Sequence, residues 1–438
     1  MRRINVGIIG LGTVGAGTAR LLGAVRAKTR VLENVDIRIA GAADVRPEAF
    51  KGLGIPRGRR TDNWESIARG ADIDVVCELV GGNTTAYAII KTALAAGKHV
   101  VTANKALLAE RGLELFALAR EKRVLLRFEA SVAGGVPILR AVREGLCANR
   151  ISSVVGILNG TSNYILHAMQ TAGLSFREAL DEARRNGFAE ADPSLDVGGF
   201  DAAHKLTILA ALAFHSWIPR SKIAIEGIGG IGVDDVAYAA ELGYTIKPLA
   251  IARQVEGALE AYVGPVMIPR DDMLAGVPRE YNAVLVHGDA TGPTLYFGKG
   301  AGRFPTASSV VADIIDIARD TARDSPYRLD PMPLGAPLPV RPGAKLRSRY
   351  YIRFTTRDLP GVIGAVGTIL GRRGISIASV MQKEPVVNGA PARRGTVPIV
   401  IIVHRTPAED MRAALAQMRR LACVRGRIQL LRIEERGE

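Results

Sequence analysis

Ile4-Asn5-Val6-Gly7-Ile8-Ile9-Gly10-Leu11-Gly12-Thr13-Val14-Gly15 opens the chain and decides how its first third is read. Residues 3–9 form a short apolar run that ends on glycine, the pattern of a buried strand. From Val14 to about Val25 the apolar spacing becomes helical. Between the two, Gly10, Gly12 and Gly15, with Thr13 and Val14, spell G-x-G-x-x-G. Glycine at these places permits a tight turn, close approach of backbone to a pyrophosphate, and close helix–strand packing. The helix start offers free N–H groups to that anion. The stretch therefore predicts a dinucleotide site for NAD or NADP.

Outward from it, strands alternate with helices. Strands are predicted at Ile37–Ala43, Asp74–Val80, His99–Thr102 and Val124–Phe128, and helices at Ala86–Ala96 and Leu107–Glu121. Alternation of this kind predicts a Rossmann-type α/β domain with a parallel sheet. The second strand ends at Asp44, where a carboxylate can accept from the adenosine ribose and favour NAD. Arg46, two residues on, could instead take a 2′-phosphate. Val101-Thr-Ala-Asn-Lys105 ends a strand on the face where such sheets bind ligands, so Lys105 can face cofactor or substrate.

The middle third changes character. A strand at Ser153–Leu158 leads into Asn159-Gly-Thr-Ser-Asn163 and a helix, and two more helices are predicted at Phe176–Gly187 and Gly199–His215. Extended runs follow at Ala258–Ile268, Ala283–Gly288 and Leu295–Gly298, which together predict an α+β domain. The helix at Thr306–Arg319 is expected to return to the first domain. The most unusual segment is Gly187-Phe-Ala-Glu190-Ala-Asp192-Pro-Ser-Leu-Asp196-Val-Gly-Gly-Phe-Asp201-Ala-Ala-His-Lys205. Asp201 and Lys205 are spaced i,i+4 and share a helix face. A lysine at the edge of an apolar helix suits proton transfer, and the carboxylates could hold a substrate ammonium group. The plainer reading is an ion pair under an acidic turn. His204 and His215 have no ligand partners at metal-binding spacing and read as packing or surface residues.

Five prolines fall between Pro331 and Pro342, the composition of a semi-rigid extended linker. Beyond it the order strand (Arg349–Thr355), helix (Val362–Arg373), strand (Ser376–Gln382), strand (Thr396–His404), helix (Ala408–Leu421), strand (Arg427–Ile433) is ferredoxin-like βαββαβ. The expected domains are 1–135 for dinucleotide binding, completed by 303–330; 136–302 for substrate; 331–348 as linker; and 349–438 as a regulatory module.

The 438 residues carry 58 Lys/Arg against 43 Asp/Glu, and the excess is concentrated at the end. Residues 345–438 hold 18 basic and 7 acidic side chains. No nucleic-acid-binding motif accompanies that charge, so it reads as a solvated surface rather than a nucleic-acid site. Cys77, Cys147 and Cys423 are isolated in sequence, which fits a reducing compartment and excludes a thiolate zinc site. No apolar run reaches membrane-spanning length. A cytoplasmic protein with no membrane partner is expected, assembled as a homodimer or homotetramer.

Taken together, these segments resemble homoserine dehydrogenase. The resemblance rests on residues 10–15 and 101–105, Phe128-Glu-Ala-Ser-Val-Ala-Gly-Gly-Val-Pro137, Leu158-Asn-Gly-Thr-Ser-Asn-Tyr-Ile-Leu166, the acidic segment, and Gly300-Ala-Gly-Arg-Phe-Pro-Thr-Ala307. The C-terminal module resembles an ACT domain, with Arg357-Asp-Leu-Pro-Gly-Val362 at its first turn. The resemblance implies reversible NAD(P)H-dependent reduction of L-aspartate 4-semialdehyde to L-homoserine, with feedback by threonine. It implies Lys205 as proton donor and Lys105 beside nicotinamide and substrate. Glu190 and Asp201, with Asp196, become substrate contacts, and Gly81 and Gly302 contact the cofactor. It also implies a sodium ion on Glu129 and the carbonyls of Val132, Gly134 and Val136, where oxygen-only ligation suits a hard cation. Asp358 and Gly361 become effector contacts. Asn83-Thr84-Thr85 departs from the family's proline-containing loop.

Two other classes compete. One is a Rossmann oxidoreductase acting on a different amino-acid-derived carbonyl. The other is a non-catalytic amino-acid sensor, against which the intact Lys105, Glu190, Asp201 and Lys205 set speaks. If the linker is a simple tether, a chain ending near Pro342 should remain active.

Overall fold

The computed structural model describes residues 1–322, 332–382, 386–387, 390–391 and 395–435. Pro331, the end of the predicted returning segment and the chain terminus lie outside the described residues.

The chain begins β1 (Arg2–Ile9), α1 (Thr13–Leu32), β2 (Val35–Ala43), β3 (Arg60–Thr61), α2 (Trp64–Ala68), β4 (Val75–Glu78), α3 (Thr84–Ala95), β5 (His99–Thr102), α4 (Lys105–Glu121), β6 (Leu126–Arg127). The six strands make one parallel sheet in the order β3-β2-β1-β4-β5-β6. The order reverses between β1 and β4, and ligands of such sheets bind outside the carboxyl ends of the strands at that switch. Ile4, Val6, Ile8, Val35, Ile37 and Val75 are buried against helices, as near-continuous apolar strands of parallel sheets require. Strand β6 is shorter than the predicted Val124–Phe128. Its Arg127 is fully buried and paired with Asp316 and Asp320, and Phe128 already turns toward a 3₁₀ turn at Glu129–Ser131.

After the short α5 (Ile138–Arg140) come β7 (Ile151–Ile157), α6 (Gly160–Ala172), α7 (Phe176–Arg185), α8 (Ser194–Val197), α9 (Phe200–Phe214), β8 (Ala224–Ile225) and α10 (Val233–Glu241). Then β9 (Tyr244–Val255), β10 (Ala258–Pro269), β11 (Tyr281–Gly288), β12 (Gly292–Lys299) and α11 (Arg303–Ala322) follow. The last of these helices lies on the first sheet, its Val310, Val311, Ile314 and Ile317 packed among the side chains of β1 and β2. Strand β9 escapes the sequence reading. It is buried on both faces, carries Lys247 and Pro248, and shows no alternation to find. Pro248 faces Pro265 of β10 beyond the end of the β7 pairing, which covers Ala250–Arg253, so the missing N–H falls where β9 has a neighbour on one side only.

The C-terminal module is β13 (Arg347–Arg357), α12 (Val362–Gly371), β14 (Ile377–Gln382), the small hairpin β15 (Val386–Val387) and β16 (Ala390–Pro391), β17 (Thr396–Pro407), α13 (Ala408–Met418) and β18 (Val424–Ile433). The βαββαβ order stands, with one addition. Strand β18 pairs in parallel with β10 through Val266–Arg432 and Met267–Ile433. The middle and C-terminal strands thereby join in the order β12-β11-β7-β9-β10-β18-β13-β17-β14.

That junction corrects the reading of the proline-rich stretch. Among its described residues it is no free tether. Leu259 N donates to Pro339 O and Arg341 N to Leu259 O, both at 2.8 Å, so Val340 bridges to the middle domain as an added edge. Gly335 N donates to His215 O, and Leu338 N to Ser216 Oγ. Prolines suit such an edge because they have no N–H to leave unpaired. No described helix is long and apolar enough to cross a membrane.

Candidate active site

The glycines of the first turn separate by what surrounds them. Gly10 has φ +90°, and a Cβ there would stand 2.6 Å from the Leu79 carbonyl oxygen. A Cβ on Gly15 would collide with the Gly10 carbonyl. The fold itself therefore explains both. A Cβ on Gly12 would meet no protein atom within 4 Å. Gly12 also starts α1 without a side-chain cap, leaving the helix's first N–H groups to an external acceptor. Neither packing nor a left-handed backbone requires glycine here.

Asp44 closes this turn from the side. Its carboxylate accepts from Leu11 N at 2.7 Å and Arg46 N at 2.9 Å, and pairs with the Arg46 guanidinium at 3.0 and 3.1 Å. Burial opposes ionisation here, but Arg46 and the two backbone donors outweigh it and hold the carboxyl below its ordinary value. Asp44 is thus a loop anchor as well as a ribose candidate. Asp44→Ala should weaken NAD and NADP together, by about 5-fold or more, as loss of a charge-assisted hydrogen bond implies. Fluorescence titration of both reduced coenzymes checks this, and unchanged affinities would leave Asp44 without either role.

A cleft of about 750 Å³ opens beside the turn, lined by Val14, Gly81, Lys105, Glu190, Asp196 and Asp201 among others. Lys105 is the first residue of α4. The preceding Asn104 caps that helix by accepting from Leu107 N and donates to Gly82 O at 2.6 Å. The cap holds Lys105 at the carboxyl ends of β4 and β5. From the opposite wall, α9 presents Asp201, with Lys205 one turn further along the helix. Lys205 Nζ donates to Asp201 Oδ2 at 2.6 Å and to Leu158 O at 2.7 Å. Lys105 Nζ lies 3.5 Å from Asp201 Oδ1. Two lysines a hundred residues apart therefore converge on one buried carboxylate. Burial pushes the Asp201 carboxyl up, but Lys205 and Lys105 together hold it down at about 2.

Asn159, the N-cap of α6, joins the acidic turn to this triad. Its Oδ1 accepts from Ser162 N, while its Nδ2 donates to Asp196 at 2.7 Å and Asp201 at 2.9 Å. In sequence the Asn-Gly-Thr turn announces no task for Asn159 beyond preceding a helix. The capping pattern was the available signal; the second bond was not. Glu78 was also missed. It ends β4, lines the cleft, and its carboxyl is raised by burial against the pull of Thr102 and Val80. His204, expected as a packing or surface residue, lines the cleft as well.

Other predicted residues lie elsewhere. Gly302, at φ +120°, precedes α11, where Arg303 abuts Gly17 on the flank of α1. The 129–136 loop lies against the Lys299–Gly300 strand end, with Gly135 N donating to Lys299 O. Asp358 and Gly361 are exposed at the start of α12, Gly361 with φ +89°. Cys77 is buried and Cys147 is not on the cleft wall, so no described thiol there offers a covalent route.

Comparison with known proteins agrees along the whole chain. Residues 10–129 match the homoserine dehydrogenase NAD-binding domain model, 137–315 the homoserine dehydrogenase model, and 350–423 the ACT domain model. The homoserine dehydrogenase of Pseudomonas aeruginosa is 44% identical over 99% of this chain and 100% of its own length. The chain belongs to the homoserine dehydrogenase family. The crystal structure of a homoserine dehydrogenase from Thiobacillus denitrificans superposes with a TM-score of 0.92 at 42% identity, covering 99% of both chains. A hyperthermophilic archaeal homoserine dehydrogenase in complex with NADPH matches with a TM-score of 0.61 and 25% identity over 72% of this chain and 97% of its own. The activity is the NAD(P)-dependent interconversion of L-aspartate 4-semialdehyde and L-homoserine, a step of amino-acid biosynthesis.

Proposed function

We propose that the cleft between α1 and α9 performs this chemistry with Lys205 as the proton donor and Lys105 as the second charge on the reacting oxygen. The convergence of both lysines on Asp201 carries the reading. Bound NAD(P)H supplies the hydride. As negative charge develops on the aldehyde oxygen, an ammonium group held in place beforehand stabilises it and delivers the proton. Asp201 aims both lysines, and Asn159 keeps Asp201 from rotating. Glu190 and Asp196 offer carboxylates to the substrate ammonium group. Gly10, Gly12, Thr13, Val14 and Gly15 would hold the pyrophosphate, with Gly81, Asp44 and Gly302 around it.

Glu190→Ala should raise the KM for homoserine by about 10-fold, the scale of a lost charge-assisted contact, with coenzyme KM little changed. Steady-state homoserine oxidation with NAD and NADP compared tests the assignment. An unchanged homoserine KM would remove Glu190 from the substrate site.

The 129–136 loop would hold a monovalent cation on Glu129 and the carbonyls of Val132, Gly134 and Val136. The donors fit, being oxygens only. Glu129 accepts from Leu139 N and Arg140 N, and Gly134 O accepts from Ser309 Oγ, which leaves each oxygen a second lone pair. Burial, reinforced by Asp313, pushes the Glu129 carboxyl up to about 7. A cation would keep it ionised. Bound there, it would brace the loop against Lys299 and Gly300, away from the reacting oxygen.

In the C-terminal module, the left-handed Gly361 opens the first turn of α12 to an amino-acid carboxylate, and Asp358 would take the ammonium group. Threonine is the proposed effector, and a homodimer or homotetramer the proposed assembly. Threonine titration of the intact enzyme, with mass from light scattering, tests both.

A further inference from the structure

Behind the acidic turn runs the loop 226–232, which contributes nothing to the cleft wall. Its front face holds the turn. Ile228 N donates to Val197 O at 2.9 Å, and a Cβ on Gly227 would stand 2.9 Å from that same oxygen. A Cβ on Gly199 would meet Ile225 at 3.2 Å and Glu226 O at 3.4 Å. There is no slack between loop and turn. Val197 directly follows Asp196, whose carboxylate accepts from Asn159, and the Asp196 carbonyl accepts from Ser162 Oγ at 3.0 Å.

The back face of the loop is held by the C-terminal module. The Arg427 guanidinium of β18 lies against Gly230. Asp235, in the first turn of α10, is fully buried and accepts from Gly232 N at 2.9 Å, which closes the loop. The same carboxylate receives the fork of Arg353 from β13, at 2.6 and 3.0 Å, and Tyr351 Oη at 3.2 Å. One apolar cluster continues across the junction. It runs from Phe188, Ala189 and Val197 through Ile228 and Ile231 to Leu431.

We infer that Arg353, acting through Asp235 and the 226–232 loop, is a positioning residue for the substrate segment 187–199. The inference rests on reading Glu190 and Asp196 as substrate contacts. A bidentate fork on a buried carboxylate fixes angle as well as distance, which a single contact does not. The C-terminal module thus braces the substrate segment from behind, through the loop. Any movement of β13 on effector binding reaches Asp196 through three packed steps and needs no domain rotation.

The test uses the full-length enzyme. Arg353→Gln removes the charge and the fork; Arg353→Lys keeps the charge and loses the fork. Arg349→Gln is the comparison, since Arg349 of the same strand pairs with Glu435 of the module, to which Tyr244 of the body donates, and so serves the same junction at another point. Arg353→Gln should raise the homoserine KM about 5-fold or more, with NADPH affinity within about 2-fold of the parent. Arg353→Lys should fall between, and Arg349→Gln should leave the homoserine KM unchanged. A lower kcat at constant KM would mean only less folded enzyme and would overturn the inference. An equal rise in Arg349→Gln would overturn it too, by showing a general loosening of the junction. If Arg353→Gln does not fold, the Lys variant gives the same KM readout. If Glu190→Ala and Asp196→Asn raise KM while the Arg353 variants do not, this inference alone fails. If none of them changes KM, the reading of the segment fails with it.

Discussion

Lys205→Ala is expected to lower kcat by about 10²-fold or more, the range for loss of a positioned general acid, while NAD(P)H binding stays nearly unchanged. The geometry separates the two effects. Lys205 is held by Asp201 and the Leu158 carbonyl, and neither belongs to the glycine turn that would hold the dinucleotide. Removing the side chain also leaves Asp201 with Asn159 at 2.9 Å and Lys105 at 3.5 Å, so the carboxylate keeps partners and the helix should stay folded. Loss of a purely structural ion pair would instead lower stability and leave turnover intact. Saturating-substrate kinetics with a fluorescence titration of NADPH separates these outcomes. Near-parental kcat would return Lys205 to the rank of an ion pair and leave Lys105 as the donor.

Ending the chain at Pro342 is expected to drop Tm on the order of 10 °C and to weaken homoserine binding. The proline composition alone predicts the opposite, an intact catalytic body on a dispensable tether. The tertiary contacts reverse that expectation. Tyr351, Val400, Ile402, Leu431 and Ile433 of the module are buried in the cluster that also holds Ile228, Ile231, Val236, Ile246 and Met267 of the body. Uncovering the equivalent of two such side chains costs ~3–6 kcal/mol, a large share of the ~5–15 kcal/mol that stabilises a typical domain. Truncation also leaves the β10 edge unpaired where β18 lay against it. Thermal unfolding, light scattering and homoserine kinetics of the truncated chain check the prediction. An unchanged Tm and KM would restore the tether and would also weaken the positioning role of Arg353.

How far the sequence could be read depended on the range over which each feature is encoded. The turn at Gly10–Gly15 was legible because its requirements are local: a left-handed φ at Gly10 and no room for a Cβ at Gly15. Helix α6 was legible as the helix that follows the strand and turn at 153–163, and α9 through its apolar spacing. The βαββαβ order of the module followed from period alone. Helix α1 extends to Leu32, past the predicted Val25, because Arg26 turns back to pair with Asp36 at the start of β2. That contact lies outside any helix-period signal. Strand β9 was illegible because burial on both faces erases alternation, and because neighbouring strands, not its own residues, make Pro248 tolerable.

By itself, then, the sequence determined the three fold classes, the dinucleotide turn, the acidic segment and the family, all of which reside in short-range patterns of backbone preference and burial. Only the tertiary structure decided that Lys105 and Lys205 share one carboxylate, that Asp44 anchors the turn it was expected to serve, and that the C-terminal module extends the body's sheet rather than trailing from it. The physical reason is that a backbone dihedral or a buried face is set within a few residues, whereas a charge pair depends on where separate elements come to rest. Lys105 reaches Asp201 because β5 ends beside the switch in strand order and α9 packs across it. Arg353 reaches Asp235 because β18 pairs with β10 over two residues, and no pattern along the chain encodes either meeting.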